Sequence, residues 1–147
     1  GITLSPERLE EFAKAFEEEV KAQTSAEVMQ PPLEICGDVR FSEIDGKFFQ
    51  DNERLAPFGH ANPEPVFRTS AVYPEQMRAV GNGHTCGRAM DAVSQRTLDF
   101  IAFGRSRETF PEPPWDLVFS PRLNNYRGRY RPQAEILDVR PFDQSRP

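Results

Sequence analysis

The chain has 147 residues, of which 37% are hydrophobic and 28% charged, and its formal net charge is −5. That length allows one domain, or one small domain with an appendage, and the composition is that of a folded chain and not a disordered one. An acidic total argues against indiscriminate nucleic-acid binding. The lack of a long apolar run or of a basic, hydrophobic leader argues against a membrane span or a secretory precursor, so the expected setting is cytoplasmic.

Helix signals open the chain. Ser5 is placed as an N-cap, Pro6 suits the first helical position, and Glu7 suits the positive end of the macrodipole. Leu9, Phe12, Ala13, Phe16 and Val20 recur at helical spacing, with Glu10–Lys14 and Glu17–Lys21 as i,i+4 pairs. This predicts a helix over about 5–23 whose apolar stripe serves core packing. Gln23 to Pro32 is read as a linker and Leu33 to Arg40 as a short strand. A second helix is predicted over Ser42 to Leu55, capped by Ser42, with Ile44, Phe48 and Leu55 inward and Gly46 as its weak point.

Leu55 to Phe67 then breaks every regular element. Pro57, Pro63 and Pro65 fix φ and remove backbone donors, while Leu55, Phe58, Val66 and Phe67 stay apolar, as in a stiff joint that turns on Gly59. After the joint the hydrophobic period changes from 3.6 to 2. Candidate strands are Val66–Tyr73, Gln76–Val80, His84–Met90, Thr97–Phe103, Trp115–Asn124 and Arg129–Val139. They are separated by Gly81-Asn82-Gly83, the proline-rich run Pro111 to Pro114, and Asn124-Asn125 with Gly128. Such spacing suits a small antiparallel barrel or a sandwich, and composition leaves both open. Trp115 alternates with Leu117 and Phe119 and is expected in the core.

The charge is unevenly spread. Residues 1–54 carry six Lys and Arg against thirteen Asp and Glu, whereas residues 55–147 carry twelve against ten, all twelve cations being arginine. The step coincides with the joint and places a domain boundary there. Cys36 and Cys86, fifty positions apart, are expected as reduced thiols.

The segment from Arg122 to Arg131 holds Arg122, Arg127, Arg129, Arg131, Tyr126 and Tyr130. Arginine offers bidentate phosphate contacts and tyrosine a flat face for an unstacked base, the mixture used to hold single strands. If Arg127-Gly128 forms a turn, Tyr126 and Arg129 face each other across a hairpin, and Arg131 extends the basic face. Arg105 and Arg107 could widen that patch, with Arg88 and Arg68 as further candidates. The alternative is a charged hairpin whose tyrosines merely close the end of the barrel.

Leu55-Ala-Pro-Phe-Gly-His-Ala-Asn-Pro-Glu-Pro-Val-Phe67 resembles the PFGxGNPxPxF joint of RecJ-type single-stranded-DNA exonucleases, with Ala61 where that pattern has glycine. Val80 to His84 looks like the G-x-x-H stretch of that family, and Leu98 to Phe103 is similar to its DAIAF-like strand. Asn125-Tyr126-Arg127-Gly128, Gln133 and Asp138-Val139-Arg140-Pro141 are similar to its closing hairpin. Thr85-Cys86 stand where the family usually continues Leu-Lys. The resemblance implies an α+β chain: N-terminal helices, then a small antiparallel β-barrel of the oligonucleotide-binding (OB) type. Residues 1–54 would form the tail of a DHHA1-like domain with linking helices, and 55–147 the OB-like barrel.

In function it implies a module that guides single-stranded DNA to a nuclease core absent from this chain, with Mn²⁺ or Mg²⁺ expected in that core for phosphodiester hydrolysis. No DHH or GGH triplet is present, His60 and His84 with Cys36 and Cys86 match no zinc spacing, and the chain is not expected to catalyse by itself. The alternative role is structural: a barrel that braces the parent enzyme or docks a replication or repair protein.

Overall fold

In the computed structural model, which describes residues 1–24, 32–126 and 128–144 (of Tyr126, the backbone only), the opening stripe forms a 3₁₀ turn, Pro6–Arg8, followed by helix α1, Leu9–Gln23. Ser5 is extended at the N-cap position, but its side chain makes no capping hydrogen bond. No residue of α1 is buried, and Phe12 and Phe16 stack on each other with centroids 5.7 Å apart. The core packing expected of that stripe is therefore not seen among the described residues. The linker expected over Gln23–Pro32 lies mostly outside them. The chain divides into two compact units, Gly1–Leu33 and Glu34–Pro147.

In the second unit the expected strand over Leu33–Arg40 shrinks to β1, Gly37–Asp38, which runs parallel to the start of β2. The predicted helix from Ser42 is instead a 3₁₀ turn, Phe41–Glu43, and a shorter helix α2, Gly46–Glu53. Its cap is Asp45, whose carboxylate accepts the Phe48 N–H at 2.8 Å, not Ser42. The reason is local chemistry: Asp45 precedes Gly46, and an Asx side chain there satisfies one of the first turn's orphan N–H groups.

Five strands close the barrel: β2 Phe67–Val80, β3 His84–Asp91, β4 Arg96–Ala102, β5 Trp115–Tyr126 and β6 Arg129–Pro141. The sheet order is β1-β2-β3-β4-β6-β5, and β2 pairs again with β5 to complete the ring. Most pairs are antiparallel, but β4 and β6 are parallel, so the OB-like barrel is mixed and not purely antiparallel. The two strands expected over 66–73 and 76–80 are one bent strand with a bulge between Pro74 and Gln76, where a proline is tolerated because the ladder is already interrupted.

Trp115, Leu117 and Phe119 of β5 alternate inward with Val72, Phe100, Ala134 and Ile136, as strand periodicity requires. Trp115 donates its indole N–H to the Pro111 carbonyl at 2.7 Å. Val39, Phe41, Ile44 and Phe49, which precede the joint, belong to the same buried cluster, and the Phe41 ring meets Phe119 edge-on at 6.1 Å.

Fully buried Asp91 fastens that preceding segment to the barrel. Its carboxylate accepts the N–H of Phe41 at 3.2 Å, the N–H of Val93 at 2.9 Å and the Ser94 hydroxyl at 2.7 Å, and Arg40 lies 3.6 Å away. Asp91→Ala would strand the Phe41 N–H in the interior and remove the acceptor of Val93 and Ser94. The expected outcome is a stability loss of about 2–4 kcal/mol in chemical denaturation, with Asp91→Asn losing less because it keeps an acceptor.

Candidate nucleic-acid interface

Beyond Val72 strand β2 leaves β5 and pairs with β3 alone, and the far ends of β5 and β6 likewise pair only with each other. Two hairpin arms therefore flank β4. Between them lies a groove of about 750 Å³ lined by Gln76, Arg78, Cys86 and Arg88 on one side, Asp99 and Phe100 in the middle, and Asn124, Arg131 and Gln133 on the other. A second hollow adjoins it, lined by Val80, Ile101, Phe103, Arg122 and Glu135, and shares Arg78, Cys86, Asn124 and Gln133 with the first. At the arm's base an added Cβ on Gly87 would lie 1.9 Å from the Gln76 carbonyl oxygen, so only glycine lets the bulge of β2 approach β3 this closely.

The groove's arginines differ in how far their charge is already answered. Half-buried Arg122 lies 2.6 Å from Glu64 of the joint and 2.7 Å from Glu135 of β6, and these hydrogen bonds raise its pKa further. The same guanidinium holds the Glu64 carboxyl below its ordinary range. Arg88 pairs with Asp99 across β3 and β4 at 3.1 Å. Arg78 donates from Nε to the Cys86 sulfur at 3.1 Å. Among the described residues neither Arg78 nor Arg131 has a carboxylate within salt-bridge distance. Two guanidinium groups, one on β2 and one on β6, thus enter the groove from opposite sides of β4 with their charge uncancelled.

Of the residues singled out from sequence, the structure brings Arg88, Arg122 and Arg131 to this groove and its adjoining hollow. The register pairs Tyr126 with Arg129 across the hairpin, as expected. Arg129 and Tyr130 are exposed near the tip of that arm, and neither lines the groove. Arg127 and the side chain of Tyr126 lie outside the described residues. Arg105 sits elsewhere: it pairs with Asp138 at 3.4 Å and covers the Phe110 ring at 5.7 Å. Arg68 is engaged by Asp38 through two bonds of 2.7 and 2.9 Å. Sequence reading missed Arg78 and Phe103. For Arg78 a signal existed: Gln76, Arg78 and Val80 alternate on one face, the pattern that also carries Cys86 and Arg88 on the next strand.

Among the described residues no group of three or more His, Cys, Asp or Glu could hold a metal ion, so this donor set does not fit a two-metal centre. Both cysteines are free thiols. No helix among the described residues is long and apolar enough to cross a membrane.

The family model described as the RecJ OB domain matches residues 36–138. Two solved structures of RecJ from Thermus thermophilus share the fold over 91% of this chain at 20% identity. The one in complex with Mn²⁺ has a TM-score of 0.59 and the one in complex with Mg²⁺ a TM-score of 0.58. The chain spans only about a fifth of those proteins, 20% and 21% respectively. Comparison with curated protein sequences gave no match.

The Glu64–Arg122–Glu135 cluster makes the joint's attachment pH-dependent. Because the folded-state pKa of Glu64 is lowered, its contribution is complete above the unfolded glutamate value of about 4.3 and fades as pH falls below it. Glu64→Gln is expected to cost less than about 1 kcal/mol at pH 7, since the pair is partly exposed, and the gap from wild type should narrow as pH falls below the unfolded glutamate value in parallel denaturation series.

Proposed function

Because the chain belongs to the RecJ OB-domain family, we propose that its groove binds single-stranded nucleic acid and guides single-stranded DNA to a nuclease core lying outside this chain. The observation that carries this reading is the pair of uncancelled guanidinium groups, Arg78 and Arg131, entering one groove from either side of β4. Each can clamp a phosphate in bidentate fashion, which a lysine cannot do. Gln76, Asn124 and Gln133 add neutral hydrogen-bonding groups, and Met77 and Pro132 supply apolar surface against sugars and bases. Binding of this kind follows backbone charge and base stacking and reads no sequence.

Arg88 and Arg122 contribute less charge, because Asp99, Glu64 and Glu135 already answer them; they shape the groove's sides. Phosphodiester hydrolysis, with Mn²⁺ or Mg²⁺ as in the complexes of the Thermus protein, is assigned to the rest of the parent enzyme. That reading brings with it a cytoplasmic setting. A groove indifferent to nucleic acid would favour the other role, bracing the parent enzyme or docking a repair or replication protein.

A salt titration of oligonucleotide binding tests the proposal. With three or four phosphates engaged, log affinity should fall against log salt with a slope on the order of −2 to −3. The Arg78→Ala/Arg131→Ala double variant should lower affinity at every salt concentration and flatten the slope by about 1.4, whereas Arg→Lys at both positions should lose less. Arg140→Ala, at the opposite end of β6, should bind as wild type does. Absence of binding at low salt, or indifference to both arginines, would overturn it.

A further inference from the structure

The two hollows of the groove differ in chemistry. The first carries Arg78, Arg88, Asp99 and Arg131, whereas the second is walled by Val80, Ile101 and Phe103. Val80 and Phe103 are 38% and 60% exposed, so apolar surface is left open beside the charged part. A lone exposed phenylalanine would need no explanation. Here three apolar side chains, from β2, from β4 and from the turn after β4, meet in one concavity next to guanidinium groups.

Phe103 is also held in place. Its ring meets that of His84 at 5.5 Å and 79°, an edge-on contact. His84 is itself oriented, because its Nδ1 accepts the N–H of Gly104 at 2.8 Å, and Gly104 turns the chain with φ of +64°. The aromatic ring is thus oriented in advance by its neighbours, on a side chain with only two rotatable bonds. Ordering it on binding costs little.

We infer that Phe103, with Val80 and Ile101, forms a base-receiving subsite in which an unstacked nucleobase lies against the ring while its backbone phosphates engage Arg78 and Arg131. His84 is the positioning residue for that ring. The subsite deepens the nucleic-acid reading and rests on it. It takes a flat, unpaired base of any identity, because every base has a π-face, and it rejects a base still stacked in a duplex.

The test compares the full 147-residue chain bound to an oligothymidylate and to an abasic strand of equal length, which keeps the phosphates and lacks the bases. Wild type should favour the oligothymidylate. Phe103→Ala should weaken oligothymidylate binding roughly 5- to 150-fold, the range of one lost base–aromatic stack. It should leave abasic-strand affinity and the salt slope unchanged. Phe103→Trp and Phe103→Tyr should retain wild-type preference, and His84→Ala should give an intermediate loss on the oligothymidylate alone. Equal binding of the oligothymidylate by wild type and Phe103→Ala, or equal losses on both strands, would overturn the subsite while Arg78 and Arg131 still governed binding. Failure of wild type to bind either strand would overturn the nucleic-acid reading itself.

Discussion

Strand β2 changes partners at Val72, and the barrel and the groove both depend on that change. Up to Val72 the strand pairs with β5 and closes the ring; from Val72 onward it pairs with β3 and leaves the ring as one arm of the groove. Val72 itself, fully buried, stands opposite both Trp115 and Asp91. The turn costs backbone energy, since Ala71 adopts φ of +59°, a left-handed conformation that disfavours an L-residue by about 1–2 kcal/mol. Contacts around it hold that conformation: the Ala71 carbonyl accepts the N–H of Ala92 at 3.1 Å, and the Ser70 carbonyl accepts from Arg40. The antiparallel register reaches the first residue of β5, Trp115, at Val72, and Pro113 and Pro114 before it offer no donors, so β2 continues with β3 alone. That free length of β2 and β3 forms one side of an open groove beside a closed barrel.

Charge in this unit is sorted by position more than by amount. Among the described residues, several arginines already have carboxylates assigned: Arg68 to Asp38, Arg88 to Asp99, Arg105 to Asp138, and Arg122 to Glu64 and Glu135. A chain with an acidic total can still present a cationic groove if its pairing leaves the groove's guanidinium groups uncancelled. An anionic ligand would then meet a focused field in one hollow without the broad attraction that a basic surface would exert.

Much of this was legible in the sequence, and the exceptions have physical causes. Strand periodicity placed Trp115, Leu117 and Phe119 in the core, and turn residues marked the β2–β3 and β5–β6 hairpins but not the one between β3 and β4. Helix length was overestimated before the joint because Ile44 and Phe48 sit at helical spacing, while Asp45-Gly46 starts a new helix between them. Two strands were expected where one exists because Pro74 reads as a terminator, although a bulge accommodates it. The basic segment 122–131 drew attention through local density. Which of its arginines keeps an uncancelled charge depends on carboxylates far along the chain, Glu64 above all. Arg78 went unnoticed for the same reason: its neighbours in the groove come from other strands, and no local count registers them. Phe103 looked like one more strand residue, since its exposure depends on where β4 ends.

The joint does more than connect. Its turn is closed by Gly59 and Asn62, which exchange backbone hydrogen bonds of 2.8 and 3.1 Å, and the Asn62 amide donates to the carbonyls of Leu55 and Pro57 at 2.8 and 3.0 Å. Ala61 is not among the residues with positive φ, so this turn is made without the left-handed conformation that a glycine there would permit. A few residues later Glu64 reaches Arg122, and Arg122 reaches Glu135, so the joint is linked to both strands of the β5–β6 arm through partly exposed ion pairs. One side of the groove is therefore referenced to the joint and the other to the bend in β2. A displacement of the joint would act on Arg122 first, whereas Arg78 is held through the pairing of β2 with β3. The joint thus bears on Arg122 at one wall of the groove, whereas the positions of Arg78 and Arg131 follow from the strand pairing on either side of β4.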